Sequence, residues 1–237
     1  MHCLSIEQYD KERINSLFVK TDFISLDFYK PAVNYFFEKK VLISFFDEPS
    51  TRTRFSFEAA MTHLGGKILS ASNTSETSSI AKGETWKDTF RTLSQYGHII
   101  VCRHSDPKWI YEAEKWAKIP VINAGNGADE HPTQALLDLY TIRQELGKLD
   151  NLTVMLCGDL EHSRTIHSLM PLLKMHNANI ILVPASAERS GAWACTQRLD
   201  LDEKYIGDYA NIKIVIPANY PTPAIEAFSL VVRYTWL

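Results

Sequence analysis

Residues 50–54 read Ser-Thr-Arg-Thr-Arg, directly after the apolar run VLISFF at 41–46 and at the start of a helical pattern. A helix N-terminus offers unpaired N–H groups and the positive end of a dipole. Two arginines placed there oppose that dipole, unless an anion neutralises them. Ser50, Thr51 and Thr53 add neutral donors, and Arg52 adds a guanidinium fork that fits phosphate oxygens. The pattern points to phosphate. The plainer account is a serine cap followed by an exposed basic turn, and it leaves the opposed charges unexplained.

Three further clusters have chemical potential. His131-Pro132-Thr133-Gln134 sits in a second strand-to-helix turn. An imidazole there can polarise a carbonyl, and the Gln134 amide can donate and accept. Taken alone, a capped helix with a surface histidine accounts for it as well or better. Arg103 ends the apolar run IIVCRH, and a solvated strand end is an equal explanation for it. Ser78 to Glu84 form a polar stretch containing Lys82-Gly83, too long for a tight turn. It reads as a mobile surface loop or as one that swings over a site. No histidine pair has the spacing of a helix-borne metal site, so no metal is expected. Gly125-x-Gly127 alone does not imply a dinucleotide, and no Walker, Gly-x-Ser-x-Gly or catalytic cysteine signature occurs.

The elements that must carry these groups alternate. Strand-like VLISFF, KILSAS, HIIVCRH and PVINAG are separated by helical patterns, among them one with Phe55, Ala59 and Leu64 on a face and one with Trp86, Phe90 and Leu93. Strand–helix alternation is the mark of a parallel α/β sheet with ligand sites at the carboxyl ends of strands, and each cluster falls in such a turn. GKLDN at 147–151 reads as a linker, after which the pattern restarts with LTVMLCGD, a helix and ANIILVPA. NIKIVIPA and SLVVRYTW read as later strands.

The 237 residues suit one large domain or two ordinary ones, and 45% hydrophobic with 22% charged residues is a folded composition. A net charge of −3 offers no general attraction to nucleic acid or a membrane surface. No apolar run approaches the ~20 residues of a membrane helix. Four scattered cysteines, Cys3, Cys102, Cys157 and Cys195, and a charged N-terminal stretch suggest the reducing cytosol.

FFDEPSTRTRFSFEAAMTHLGG, SSIAKGETWKDT, VCRH, INAGNGADEHPTQALLDLYTI and GDLEHSRTIHSL occur in that order. Together they closely resemble the aspartate/ornithine carbamoyltransferase superfamily, and the Lys-Gly-Glu loop and LLDLYTI favour its aspartate branch, the aspartate carbamoyltransferase catalytic chain. The resemblance spans roughly residues 40–185. It implies two α/β domains, each a parallel sheet flanked by helices: residues 1–146 for carbamoyl phosphate and residues 147–237 for aspartate. It implies carbamoyl transfer to the aspartate amine in pyrimidine biosynthesis, without a cofactor. It also implies a cytoplasmic homotrimer with shared active sites, and leaves room for a regulatory subunit.

By matching motif, Ser50, Thr51, Arg52 and Thr53 would hold the phosphate. Arg103 and His131 would meet the carbamoyl group with help from Thr53, and Gln134 would take its amide. Ser78 and Lys82 would reach in from a neighbouring chain, and Arg164 would meet an aspartate carboxylate. The sequence departs from the family pattern in its second half. A His-Pro-Leu-Pro-Arg loop and a final helix are lacking, Thr235 and Leu237 fall near an expected arginine and glutamine, Asn126 replaces a usual aspartate and Ala81 a common lysine. The aspartate half is therefore expected to be incomplete. Alternatives are transfer to another amine, or a non-catalytic carbamoyl-phosphate-binding relative.

Overall fold

The computed structural model describes residues 2–27, 35–158, 160, 162–184 and the backbone of 214–218. The chain divides into two compact units, Met1–Gly127 and Ala128–Leu237.

In the first unit, α1 (Lys11–Asp27) precedes β1 (Val41–Phe46), α2 (Thr51–His63), β2 (Lys67–Ser72) and α3 (Thr74–Thr77). A 3₁₀ turn at Ser79–Lys82, α4 (Trp86–Tyr96), β3 (Ile99–His104), α5 (Trp109–Trp116) and β4 (Val121–Asn126) follow. The strands run in the order β2-β1-β3-β4, and every pairing is parallel. A strand covered by helices on both faces must be apolar on both, which is why VLISFF is a continuous run rather than an alternation. Ile43 and Phe45 join Phe90 of α4 and Trp109 of α5 in one core layer. Leu42 and Phe46, pointing the opposite way along the pleat, join Met61 of α2, Val101 and Ala124 in the other. Beyond β4, the Cys3 N–H donates to the Val121 carbonyl and the Asn123 N–H to the Cys3 carbonyl, both at 2.8 Å.

The buried face of α2 differs from the expected one. Phe55 is 51% exposed, whereas Met61 is 6% exposed and Phe57 packs on the same layer. Residues 55/59 and 57/61 have the same helical spacing, so periodicity alone could not set the helix phase. The sheet sets it: Met61 and Phe57 pack with Leu42, Phe46 and Ile68 of the strands. Gly66 lets β2 begin close beneath this helix, since a Cβ there would strike the Met61 thioether.

The second unit contains α6 (Pro132–Leu146), β5 (Thr153–Gly158), α7 (Arg164–Met175), β6 (Asn179–Pro184) and β7 (Ile214–Ala218), with parallel strands ordered β6-β5-β7. α6 opens with proline at its first position and ends on Gly147 at φ 68°, an economical start and stop. Residues 147–151 are packed rather than open: Leu149 is buried, the Asn151 N–H donates to the His176 carbonyl at 2.9 Å, and the His176 ring meets Asp150 at 3.0 Å. The division into compact units falls before α6. SLVVRYTW, with Arg233, Thr235 and Leu237, lies outside the described residues, as does Cys195. Among the described residues no helix is long and apolar enough to cross a membrane.

Candidate active site

The chain leaves β1 toward β2 on one side and returns to β3 on the other. The carboxyl ends of β1 and β3 are therefore a topological switch point, where adjacent loops part and leave a crevice. Phe46 and Arg103 are register partners at these ends, so the turn at 47–50 and the Arg103 side chain are brought together by strand pairing itself.

Arg103 is committed to this turn. Its Nε and Nη2 each donate to Glu48 Oε2 at 2.8 Å, and Nη1 donates to Ser50 Oγ at 3.3 Å. Its side chain is only 12% exposed, and a charge so far from water needs such partners. Ser50 caps α2 with an extended backbone, φ −155° and ψ 93°, yet its side chain makes no cap hydrogen bond to the helix. Thr51 and Arg52 are exposed and Thr53 is half-buried. The helix terminus is open, aimed outward and flanked by arginine, the arrangement that accepts an oxyanion.

Arg54 has a structural task. It lies 3.7 Å from Glu58, and Glu58 Oε1 also accepts from Ser44 Oγ and Ser70 Oγ at 2.8 and 2.7 Å. That carboxylate ties α2 to both β1 and β2.

Asp47 organises the polar loop. It accepts from the Ser75 N–H at 2.6 Å and from Thr74 Oγ1 at 3.4 Å, and faces His104 Nε2 at 3.4 Å. His104 Nδ1 accepts from the Asp106 N–H at 2.9 Å, which leaves the ring proton on Nε2, toward Asp47. Burial opposes the Asp47 charge, but the Ser75 donors, His104 and Thr74 outweigh it and hold the carboxyl below the usual range. From this root the loop runs outward. Ser78 Oγ is used within it, donating to the Thr74 carbonyl and accepting from the Ile80 N–H. Lys82 is exposed at the end of the 3₁₀ turn, which Gly83 closes at φ 90°.

The second unit carries His131, Gln134 and Arg164. His131 is 5% exposed, not a surface residue. Its N–H donates to Ser168 Oγ of α7 at 2.9 Å, and its Nδ1 lies 3.3 Å from Thr133 Oγ1. Gln134 Nε2 donates to Asp138 Oδ1 one turn along α6 at 2.9 Å. Burial pushes the Asp138 carboxyl up to about 7, against the pull of the Gln134 donor. Arg164 opens α7 beside Ser163, again a cation at the positive end of a helix. His167 is held between the Ala128 and Leu160 carbonyls at 3.2 and 3.1 Å.

Residues 50–53 and Arg103 thus stand together at one switch point, and Ser78 and Lys82 stand on a loop rooted beside it in the same unit. His131, Gln134 and Arg164 belong to the other unit. Sequence reasoning missed the residues that hold these groups: Asp47, Glu48, Asp138 and Ser168. The acidic pair Asp47-Glu48 after a strand and the four-residue step from Gln134 to Asp138 were available signals; nothing in the sequence pointed to Ser168.

The family model for the aspartate/ornithine carbamoyltransferase carbamoyl-P binding domain matches residues 1–144, a span that keeps α6 with the first half. The chain is 46% identical over 186 residues to the aspartate carbamoyltransferase catalytic subunit of Archaeoglobus fulgidus, covering 78% of this chain and 62% of that one. The catalytic subunit of aspartate transcarbamoylase from M. jannaschii superposes with a TM-score of 0.77 at 33% identity, covering 91% of this chain and 72% of that one. Aspartate transcarbamoylase from Trypanosoma cruzi in complex with carbamoyl aspartate and phosphate superposes with a TM-score of 0.73 at 36% identity, covering 91% and 68%. The chain spans a tenth or less of the length of the multifunctional proteins that it matches at 40–45% identity. Motif order, the switch-point crevice and these likenesses agree: the chain belongs to the aspartate/ornithine carbamoyltransferase family.

Proposed function

We propose that this chain transfers the carbamoyl group of carbamoyl phosphate to the amine of aspartate, releasing phosphate and forming carbamoyl-aspartate for pyrimidine synthesis in the cytoplasm. The observation that carries this reading is the open N-terminus of α2 beside Arg103 at the β1/β3 switch point. In this reading residues 1–146 serve carbamoyl phosphate and residues 147–237 serve the amino acid.

The N–H groups and hydroxyls at 50–53, with Arg52, receive the phosphate. Arg103 and Thr53 draw on the carbamoyl oxygen, with His131 as a further donor. Gln134 meets the carbamoyl –NH₂. Ser78 and Lys82 serve a neighbouring copy in a homotrimer, and Arg164 holds a carboxylate of aspartate. The amine attacks the carbamoyl carbon, a C–N bond forms, and charge gathers on the carbonyl oxygen. The C–O bond to phosphate then breaks, and the departing phosphate takes the amine proton. No side-chain nucleophile or cofactor enters; the protein supplies orientation and preorganised donors. Glu48 already occupies the Arg103 fork, so an incoming carbamoyl oxygen competes with a carboxylate for it.

The test pairs calorimetric binding of carbamoyl phosphate with an assay for carbamoylated product across a panel of amines. Binding that is lost in Arg52→Ala, with aspartate as the preferred acceptor, supports the reading. Product from a different amine corrects the acceptor, and absence of carbamoyl-phosphate binding overturns the whole.

A further inference from the structure

A glutamine that must recognise an –NH₂ group has a problem of symmetry. Its side chain ends in a carbonyl and an amide nitrogen of nearly the same shape, and only the carbonyl accepts a hydrogen bond from an –NH₂. A half-turn about the last torsion replaces an acceptor with a donor. Something has to decide which end faces the ligand.

Asp138 stands where that decision is made. It lies four residues after Gln134 on α6, so the two side chains are neighbours on the helix surface. Gln134 Nε2 donates to Asp138 Oδ1 at 2.9 Å, and among the described residues this is the one polar contact that Asp138 makes. Among the described residues no arginine, lysine or histidine pairs with it. Burial of a carboxylate is costly, and that burial is what raises the Asp138 carboxyl. An ionised carboxylate has no proton to give. Above pH 7, where Asp138 is ionised, the end of Gln134 that it holds is the N–H end, and the carbonyl Oε1 is left for another partner.

We infer that Asp138 is a positioning residue that fixes the Gln134 amide so that its carbonyl faces the carbamoyl –NH₂, making the site selective for a carbamoyl over an acyl group. This rests on the reading of Gln134 given above, and deepens it by naming what sets its orientation. The geometry is internal to α6, and so does not depend on how the two units are arranged.

The experiment compares two ligands of the same charge and nearly the same shape: carbamoyl phosphate, and acetyl phosphate, which has a methyl in place of –NH₂. Affinities of both are measured calorimetrically on the full chain at pH 8.5, where Asp138 is ionised, and reported as a ratio. The unaltered chain is expected to prefer carbamoyl phosphate about tenfold, the scale of one net hydrogen bond. Gln134→Met should bring the ratio close to one. Asp138→Leu should cut the ratio about fivefold by releasing the amide to rotate. Asp138→Asn, whose own amide can satisfy Gln134 in either orientation, should cut it about half as much and guards against misfolding of the leucine variant. A general loss of fold lowers both affinities and leaves the ratio of the surviving sites unchanged. If Gln134→Met collapses the preference while Asp138→Leu and Asp138→Asn both keep it, the orienting role is overturned and Gln134 retains its own. If Gln134→Met itself keeps the preference, the reading of Gln134 falls and this inference with it.

Discussion

Two strand-to-helix turns in this chain solve opposite problems. At 47–53 the helix terminus is left open: Ser50 makes no side-chain cap, Thr51 and Arg52 face solvent, and Arg103 waits at the side. At 127–134 the terminus is covered: His131 makes no side-chain cap either, but it is buried, its N–H donates to Ser168, and proline fills the first helical position. An anion is best received by main-chain donors with nothing else to bind. A neutral group that must point at one atom is better buried and pinned. The same local fold gives a receptor in one place and a pointer in the other, and the difference is what the flanking side chains do with the first N–H groups.

The largest effect should come from removing the cation of the open turn. Arg103→Ala is expected to weaken carbamoyl-phosphate binding by about 100-fold, because it removes a charged hydrogen bond and leaves the Glu48 carboxylate facing the anion. Calorimetry measures this, and a change under fivefold would mean that Arg103 does not meet the ligand. In the covered turn, Ser168→Ala should destabilise the chain by about 1–3 kcal/mol, the cost of a buried N–H left without its acceptor. Thermal unfolding reads this out, and an unshifted midpoint would show that His131 is not pinned there.

Protonation sharpens the comparison further. Burial holds the Asp138 carboxyl at about 7, so between roughly pH 4 and pH 7 the folded chain keeps a proton that the unfolded chain has lost. Stability from this group is present at low pH and declines as pH rises through that window. Asp138→Asn has no such titration. Its stability relative to the unaltered chain should therefore climb by about 2 kcal/mol between pH 5.5 and pH 7.5 and level off above. A difference flat across that range would sink the assignment.

The smallest effect comes from making the open turn resemble the covered one. Thr51→Pro suits the first helical position, since the extended Ser50 already tolerates a following proline. The helix should survive with stability changed by less than about 1 kcal/mol, while phosphate binding falls about tenfold for one lost charge-assisted N–H. Retained binding would mean that the Thr51 N–H does not face the anion.

The strands were legible because doubly covered β-strands are written as unbroken apolar runs, and VLISFF and IIVCRH could hardly be anything else. Their order across the sheet was not: periodicity says nothing of which strand neighbours which, and that order is what brings Arg103 to Ser50. The residues at 50–53 stood out by an electrostatic anomaly within five positions. His131 did not, because its burial depends on a serine 37 residues later. Phe55 was placed inward by a spacing that Phe57 and Met61 share. At 147–151 the polar composition gave no sign that Leu149 is buried.

Asp47 has a consequence for the order of events in folding. It joins the end of β1 to Thr74 and Ser75, 27 and 28 residues downstream, and to His104 at the end of β3. Each closure costs chain entropy before any contact repays it. The knot therefore cannot form from local structure; β1, β2 and β3 must first be in register. A site built on such long-range closures exists only in the assembled sheet, and a partly folded chain has no weak version of it to offer. An anion that binds there selects completed molecules and, by mass action, adds its binding free energy to their stability. The arrival of phosphate affinity during refolding would then serve as a clock for the last step of the first unit, not for collapse or helix formation.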